Sequence, residues 1–484
     1  MATLKKTTPR CCLFYYGILF YMKTHEIKVG FYGGAGWVTG ANFLLENVAQ
    51  SREETVKILI DCGMYQGDDN TDEMNYAHFS YDPKDIDILF VTHAHADHIG
   101  RIPRLVRDGF RGKIYSTKAS FDIARIMLDD SLKIIQYEAK KKEIEPMYEE
   151  KDVEEALKLW KTVSFHDPIS LPQGFTATLY QAGHILGSAM IKFNYGSKNI
   201  LFTGDLGNSP DPLLRDPEII NDADYMIIES VYGDRNHEDR ELRVEKLTEA
   251  VLSTIAKNGI LMIPSFALER TQNIIYILNN LVEEGVIPKI PVFLDSPLAI
   301  DLTHTFKKYP ELFNDEVQQR LKEDPDIFSF PGFMETKTIE ESKAIMRIPN
   351  PKIIISSAGM SHAGRIIHHE KQYLDDPENM LLFIGYQAVG TPGRMIQDGA
   401  KKMNLLGKEV QIRARVETIS GYSAHMDSDH LLEFVSHSAD RLKHVFVAMG
   451  EPKASLFLVQ RIRDYLGIQA TAPEQDESVI LDMS

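Results

Sequence analysis

Thr92-His93-Ala94-His95-Ala96-Asp97-His98 follows directly on the apolar run Ile86-Asp87-Ile88-Leu89-Phe90-Val91. The run reads as a buried strand, so three histidines and an aspartate fall where a strand ends and a loop begins. A loop at the C-terminal edge of a sheet can turn all four side chains toward one point. Imidazole and carboxylate are the ligand set of hydrolytic zinc, and four such groups at i, i+2, i+4 and i+5 predict a metal site.

Outward from this stretch, the chain before it is strand-rich, with strands expected at 27–32, 41–46 and 56–61. Gly33 to Gly40 forms a glycine-rich turn, but no helix start and no Gly-Lys-Ser/Thr follows, so a P-loop is excluded. Asp61 ends a strand, a good place for a carboxylate that supports a metal-bound histidine from behind. After His98, helices are expected at 120–142 and 153–163, then strands at 177–181, 189–195, 199–203 and 225–228. Three of these strands deliver a polar residue at a glycine-flanked edge: His184 in Gly-His-Ile-Leu-Gly-Ser, Asp205 in Thr-Gly-Asp-Leu-Gly, and Glu229 in Glu-Ser-Val-Tyr-Gly-Asp-Arg.

From residue 236 the rhythm changes to strand–helix alternation, which predicts a parallel sheet covered by helices and hence a second domain. Its helices include 239–257 and one near 392–402. Strand-rich sequence resumes over 409–418, with Ser423-Ala424-His425-Met426-Asp427 next, then strand 445–448 and a helix over 452–466. The second domain therefore reads as inserted into the first.

A chain of 484 residues has room for two domains, and its 43% hydrophobic and 25% charged content is ordinary for a globular protein. The net charge of −17 argues against coating nucleic acid by bulk electrostatics, so a polyanionic substrate needs a local cleft and metal ions. Three cysteines, Cys11, Cys12 and Cys62, cannot build a disulfide framework and suit a reducing cytoplasm. The first 21 residues carry Lys5, Lys6 and Arg10 before an apolar run from Cys11 to Tyr21 that is too short to span a bilayer and lacks a cleavage site. Met22 is the expected natural start, and residues 1–21 are expected to be disordered or non-native. No membrane partner is expected.

His93-x-His95-x-Asp97-His98, the His184 motif and the Asp205 motif resemble the metallo-β-lactamase fold. The Glu229 motif, Pro264-Ser-Phe-Ala-Leu-Glu-Arg270, Asp295-Ser-Pro-Leu-Ala, Gly359-Met-Ser-His-Ala-Gly-Arg365 and Ser423-Ala-His425-Met-Asp resemble its β-CASP branch of nucleases. The resemblance runs from Met22 to about Leu466. It implies an α/β protein: a metallo-β-lactamase αββα sandwich carrying an inserted, parallel-sheet β-CASP domain. The expected division is residues 22–235 and 403–484 for the first domain and 236–402 for the insertion.

Carried over residue by residue, the resemblance has His93, His95 and His184 holding one Zn2+, Asp97 and His98 a second, and Asp205 bridging, with Asp61 behind the ligands. Glu229 would orient His425 against the scissile phosphate. With Asp97 these are the expected catalytic residues, while Arg270, Ser357 and Arg365 are expected to bind substrate. The implied function is zinc-dependent hydrolysis of single-stranded RNA. A nuclease acting on DNA or on both polymers is one alternative, and a non-catalytic RNA-binding scaffold is another. Internal cleavage or attack from the 5′ end stays open, as does assembly into a homodimer.

One departure stands out. RNA-processing members carry a histidine before Gly-Glu after the strand 445–448, and it ligates the second zinc. Here Met449 occupies that position, and a thioether is a poor zinc ligand among oxygen and nitrogen donors. His444, five residues back, would face the other side of the strand. The second metal site is therefore expected to be weak.

Overall fold

The computed structural model describes residues 26–483 except 50, 68–70, 238–241, 386 and 389. The expected leader, with Cys11 and Cys12, lies outside the described residues, as does the start expected for the helix at 239. Among the described residues no helix is long and apolar enough to cross a membrane.

Two seven-stranded sheets lie face to face. The first runs in the order Glu477–Leu481, Glu26–Gly33, Asn42–Val48, Lys57–Ile60, Ile88–Phe90, Lys113–Ser116 and Trp160–Thr162. The second runs Ala470–Thr471, His444–Val447, Tyr225–Ile228, Lys198–Phe202, Ala189–Tyr195, Phe175–Gln181 and Ile169–Ser170. Alternate residues of facing strands fill the space between them, with Phe31, Phe43, Phe90, Phe193, Phe202 and Phe446 in one buried cluster. Each such ring contributes roughly 1.5–3 kcal/mol relative to exposure. Helices Lys118–Lys142 and Glu150–Leu159 pack with the first sheet, Ser428–Ser436 and Pro452–Arg461 with the second, completing the αββα sandwich.

A third sheet of six strands, all parallel, runs Phe333–Glu335, Val292–Leu294, Lys352–Ser356, Ile260–Pro264, Met380–Ile384 and Arg415–Ile419. Its helices include Arg270–Glu283 and Pro297–Phe306, and these share one hydrophobic cluster with helix Lys118–Lys142 of the first domain.

Local expectations are corrected where strand pairing overrides pattern. The helix expected over 153–163 stops at Leu159, because Trp160–Thr162 pairs with Ile114–Ser116 and the Trp160 indole N–H donates to Ser116 Oγ at 2.8 Å. The helix expected to reach 402 ends at Gln397, and Lys402–Leu405 instead forms a hairpin with Lys408–Gln411. The single strand expected at 409–418 is two. The second of them, Arg415–Ile419, pairs with Met380–Ile384 and so lies in the inserted sheet, beyond the boundary expected at 402. The regular helix after Pro452 ends at Arg461, and a π-turn carries it to Leu466.

Candidate metal centre

The C-terminal ends of strands Lys57–Ile60, Ile88–Phe90, Lys198–Phe202 and Tyr225–Ile228 meet at one edge of the sandwich, through parallel pairings within each sheet. Asp61, the His93–His98 loop, Asp205 and Glu229 follow directly on these strands. The loops pack tightly: a Cβ at Gly63 would lie on the Asp97 carbonyl, so only glycine lets this backbone approach. His184 reaches the same edge from a turn held by Ser188, whose Oγ accepts from the His184 N–H at 3.0 Å.

Three imidazoles converge. His95 Nδ1 lies 3.1 Å from His93 Nε2 and 3.2 Å from His184 Nε2. Burial holds His93 and His184 well below the usual imidazole range and His95 down to about 3. Three uncharged rings aiming nitrogen atoms at one another form a donor set that fits a cation. His184 Nδ1 donates to the Ala424 carbonyl at 3.2 Å, which leaves the Nε2 lone pair facing the cluster.

Asp205 is nearly fully buried and splits its two oxygens between the halves of the site. Oδ2 lies 3.6 Å from His93 Nε2 and 3.5 Å from His184 Nε2, whereas Oδ1 lies 3.4 Å from His98 Nε2. Neither Asp205 Oδ1 nor His98 Nε2 has a hydrogen-bond partner, although both are buried. Orphaned polar atoms of this kind are costly unless an ion satisfies them. Burial pushes Asp205 up, but the facing histidines, His98 first, hold its carboxyl well below the usual range.

Asp61 sits behind His98. Its Oδ2 accepts from His98 Nδ1 at 2.7 Å and from the Thr92 hydroxyl at 2.7 Å, while Oδ1 accepts from the Thr92 N–H at 2.8 Å. This fixes the ring with Nε2 toward Asp205. Burial pulls His98 down, but the Asp205 and Asp61 carboxylates push it well above the usual range. Asp97, 4.0 Å from His98 Nε2, is pushed up to about 6 by burial.

His425 and Glu229 meet at the other side of Asp205. His425 Nδ1 lies 3.2 Å from Glu229 Oε2 and 3.7 Å from Asp205 Oδ2, and Glu229 Oε1 accepts from the Leu206 N–H. Burial pulls His425 down, yet the charge and hydrogen bond of Glu229 push it to about 9. Glu229 itself is raised by burial. His237 Nε2 donates to the His425 carbonyl at 2.8 Å and the Tyr232 ring lies tilted against His237, centroids 4.3 Å apart, contacts that sequence reading missed.

Met449 does not replace the missing histidine. Its side chain packs in the apolar cluster between the sheets and lines a cavity with Phe43, Phe202, His98 and Glu229. His444 hydrogen-bonds Thr471 Oγ1 at 2.9 Å and stacks on Phe446, away from the site, as its position on the strand requires.

The three expected substrate residues diverge. Arg270 is buried beside Tyr422, 5.9 Å from the ring, and its Nε has no protein partner. Arg365 is spent inside the inserted domain: Nη1 donates to Asp295 Oδ1 at 2.7 Å and to the Thr336 carbonyl, and Nη2 donates to the Lys337 carbonyl. Arg365 thus makes a structural ion pair within the inserted domain. Ser357 Oγ lies 3.0 Å from Ser296 Oγ in the same domain.

Family profiles match in three blocks. A metallo-beta-lactamase superfamily domain covers residues 52–232, a Beta-Casp domain 271–396, and a Zn-dependent metallo-hydrolase RNA specificity domain 409–473. Ribonuclease TTHA0252 of Thermus thermophilus is 36% identical over 404 residues, which is 84% of this chain and 89% of the relative. This chain belongs to the β-CASP branch of the metallo-β-lactamase superfamily. Another β-CASP relative, the transcription termination factor FttA of Methanosarcina mazei, is 32% identical over 476 residues, 95% of this chain and 72% of the factor. A solved structure of a protein of unknown function from Enterococcus faecalis aligns with a TM-score of 0.54 at 12% identity, over 94% of this chain and 100% of that one, a likeness of fold. Membership makes the convergent His/Asp cluster a divalent-metal site and the protein a metal-dependent hydrolase.

Proposed function

We propose that this β-CASP protein is a zinc-dependent ribonuclease that hydrolyses single-stranded RNA during RNA processing or decay, in a reducing cytoplasm. The observation that carries the reading is the division of Asp205 between the His93/His184 nitrogens and His98, with the Glu229–His425 pair on the same carboxylate. His93, His95 and His184 would hold one ion, Asp97 and His98 the other, with Asp205 serving the pair. When bound, the ions supply hydroxide near neutral pH and offset charge on the phosphoryl oxygens.

The chain's own groups do the rest. Asp61 keeps the His98 ring turned so that Nε2 faces the site. Glu229 occupies His425 Nδ1 and keeps that ring protonated, so Nε2 can give its proton to the leaving O3′ as the P–O3′ bond breaks. Attack by hydroxide then leaves a 5′-phosphate and a 3′-hydroxyl. The RNA specificity domain and the ribonuclease relative support RNA as the polymer. End-group analysis of products from end-labelled single-stranded RNA tests this, and 2′,3′-cyclic phosphate ends would refute it, because they arise from attack by the RNA's own 2′-hydroxyl.

A further inference from the structure

The loop of residues 33–41 joins strands Glu26–Gly33 and Asn42–Val48 at the metal edge of the sandwich, since Phe43 pairs with Ile60 just before Asp61. Both its feet are bonded to backbone beside the His/Asp cluster, at Met449 and Asp97. The Gly34 carbonyl accepts from the Met449 N–H at 2.6 Å, and the Ala41 N–H donates to the Asp97 carbonyl at 2.9 Å. A Cβ at Gly34 would collide with the Met449 sulfur. Thr39 and Gln66 exchange hydrogen bonds at 3.0 and 3.2 Å and pin the loop's far side.

At the tip stands Trp37, behind Gly36, which has open space around it. Trp37 is half-buried but belongs to none of the hydrophobic clusters. Among the described residues its one ring contact is edge-on to Tyr65, at 6.0 Å and 78°. An edge contact of this kind leaves the indole face uncovered by that ring. The loop carries no charged residue from Gly33 to Ala41, so it offers nothing to a phosphate and a large aromatic surface to a base.

We propose that Trp37 is a base-stacking residue: its indole packs on a nucleobase of the single-stranded RNA held in the cleft, on the Met449 side of the metal centre. Aromatic side chains on pinned loops serve unstacked bases in this way, because every base presents a π-face. Two side-chain torsions make the contact cheap in entropy. The inference rests on the RNA reading above and deepens it.

The chain has two tryptophans, and the other, Trp160, is 9% exposed with its N–H bonded to Ser116. Trp37 emission can therefore be read in the full chain, both wild type and W160F. The titrant is a 2′-O-methyl single-stranded oligoribonucleotide that resists cleavage, with fluorescein anisotropy followed in parallel. We expect Trp37 emission to be quenched with the dissociation constant that anisotropy gives, and an abasic oligonucleotide of equal length not to quench it. W37A should weaken binding about 5- to 100-fold and raise KM with kcat little changed, while W37F restores most of the loss. Binding without quenching, or W37A binding as wild type, overturns the assignment while the ribonuclease reading stands. An absence of binding by any RNA, or tighter binding of the matching deoxyoligonucleotide, overturns both.

Discussion

Replacing Arg365 with alanine separates the two roles that the residue can play. Asp295 is fully buried, and its carboxylate is shared by Arg365 at 2.7 Å, His369 at 2.7 Å, Ser342 at 2.6 Å and Thr336 at 2.8 Å. Arg365 also ties the Thr336 and Lys337 carbonyls to the start of its own helix. Removing one side of a buried ion pair costs roughly 3–5 kcal/mol, and the three partners left to Asp295 hold the loss near the lower figure, about 3 kcal/mol. For a domain of this size that is a fall in Tm of about 6–12 °C. The assay is thermal unfolding of wild type, R365A, D295A and the double variant, with KM for RNA measured on each. The double variant should cost less than the sum of the singles by about 0.5–3 kcal/mol, because the two residues share one network. KM for R365A should stay within about twofold of wild type. An unchanged Tm together with a roughly tenfold or greater rise in KM would show Arg365 on a substrate phosphate and refute the structural assignment.

The same carboxylate predicts an acid limb. Burial pushes Asp295 up, but His369 and its other partners hold it down at about 2. A depressed pKa contributes stability above the unfolded value, near 4, that is lost as pH falls toward 2, on the order of 2 kcal/mol in all, and Asp295→Asn should remove that part of the pH dependence. Met449 has a left-handed backbone, φ 46°, which histidine tolerates, so Met449→His should tighten the weaker zinc site about 10- to 100-fold by equilibrium dialysis. Identical metal affinity in the two proteins would mean the pair is complete without a donor there. Asp61→Asn takes a charged acceptor from His98 Nδ1 and should loosen zinc on that side by a similar factor, with far-UV circular dichroism unchanged. Unaltered zinc affinity would remove Asp61 from the metal account.

Much of the centre was legible because polar residues at strand ends break an apolar pattern. His93, His95, Asp97, His98, Asp205 and Glu229 all announce themselves in this way, and Asp61 could be placed behind a ligand from its position alone. Non-local pairing was not legible. Arg415–Ile419 takes its place from hydrogen bonds to Met380–Ile384, and nothing in its own residues marks that partner. The last strand, Glu477–Leu481, carries exposed and partly buried residues until Leu481 and shows no pattern until it pairs with Glu26–Gly33. The Arg365 ion pair is non-local in the same way. An arginine after a glycine-rich turn looks ready for phosphate, and only the fold brings Asp295 beneath it. Thr92 adjoins the histidine stretch in sequence, but its hydroxyl bridge between Asp61 and the rings of His93 and His98 exists only in the folded loop.

His425→Ala separates a metal pair from its proton donor when zinc content and RNA turnover are measured on one preparation. If His425 is the proton donor, zinc stays bound as in wild type and turnover falls roughly 10²- to 10⁴-fold, the usual contribution of a general acid. Loss of zinc together with activity would contradict it, making His425 a ligand in the place left by Met449.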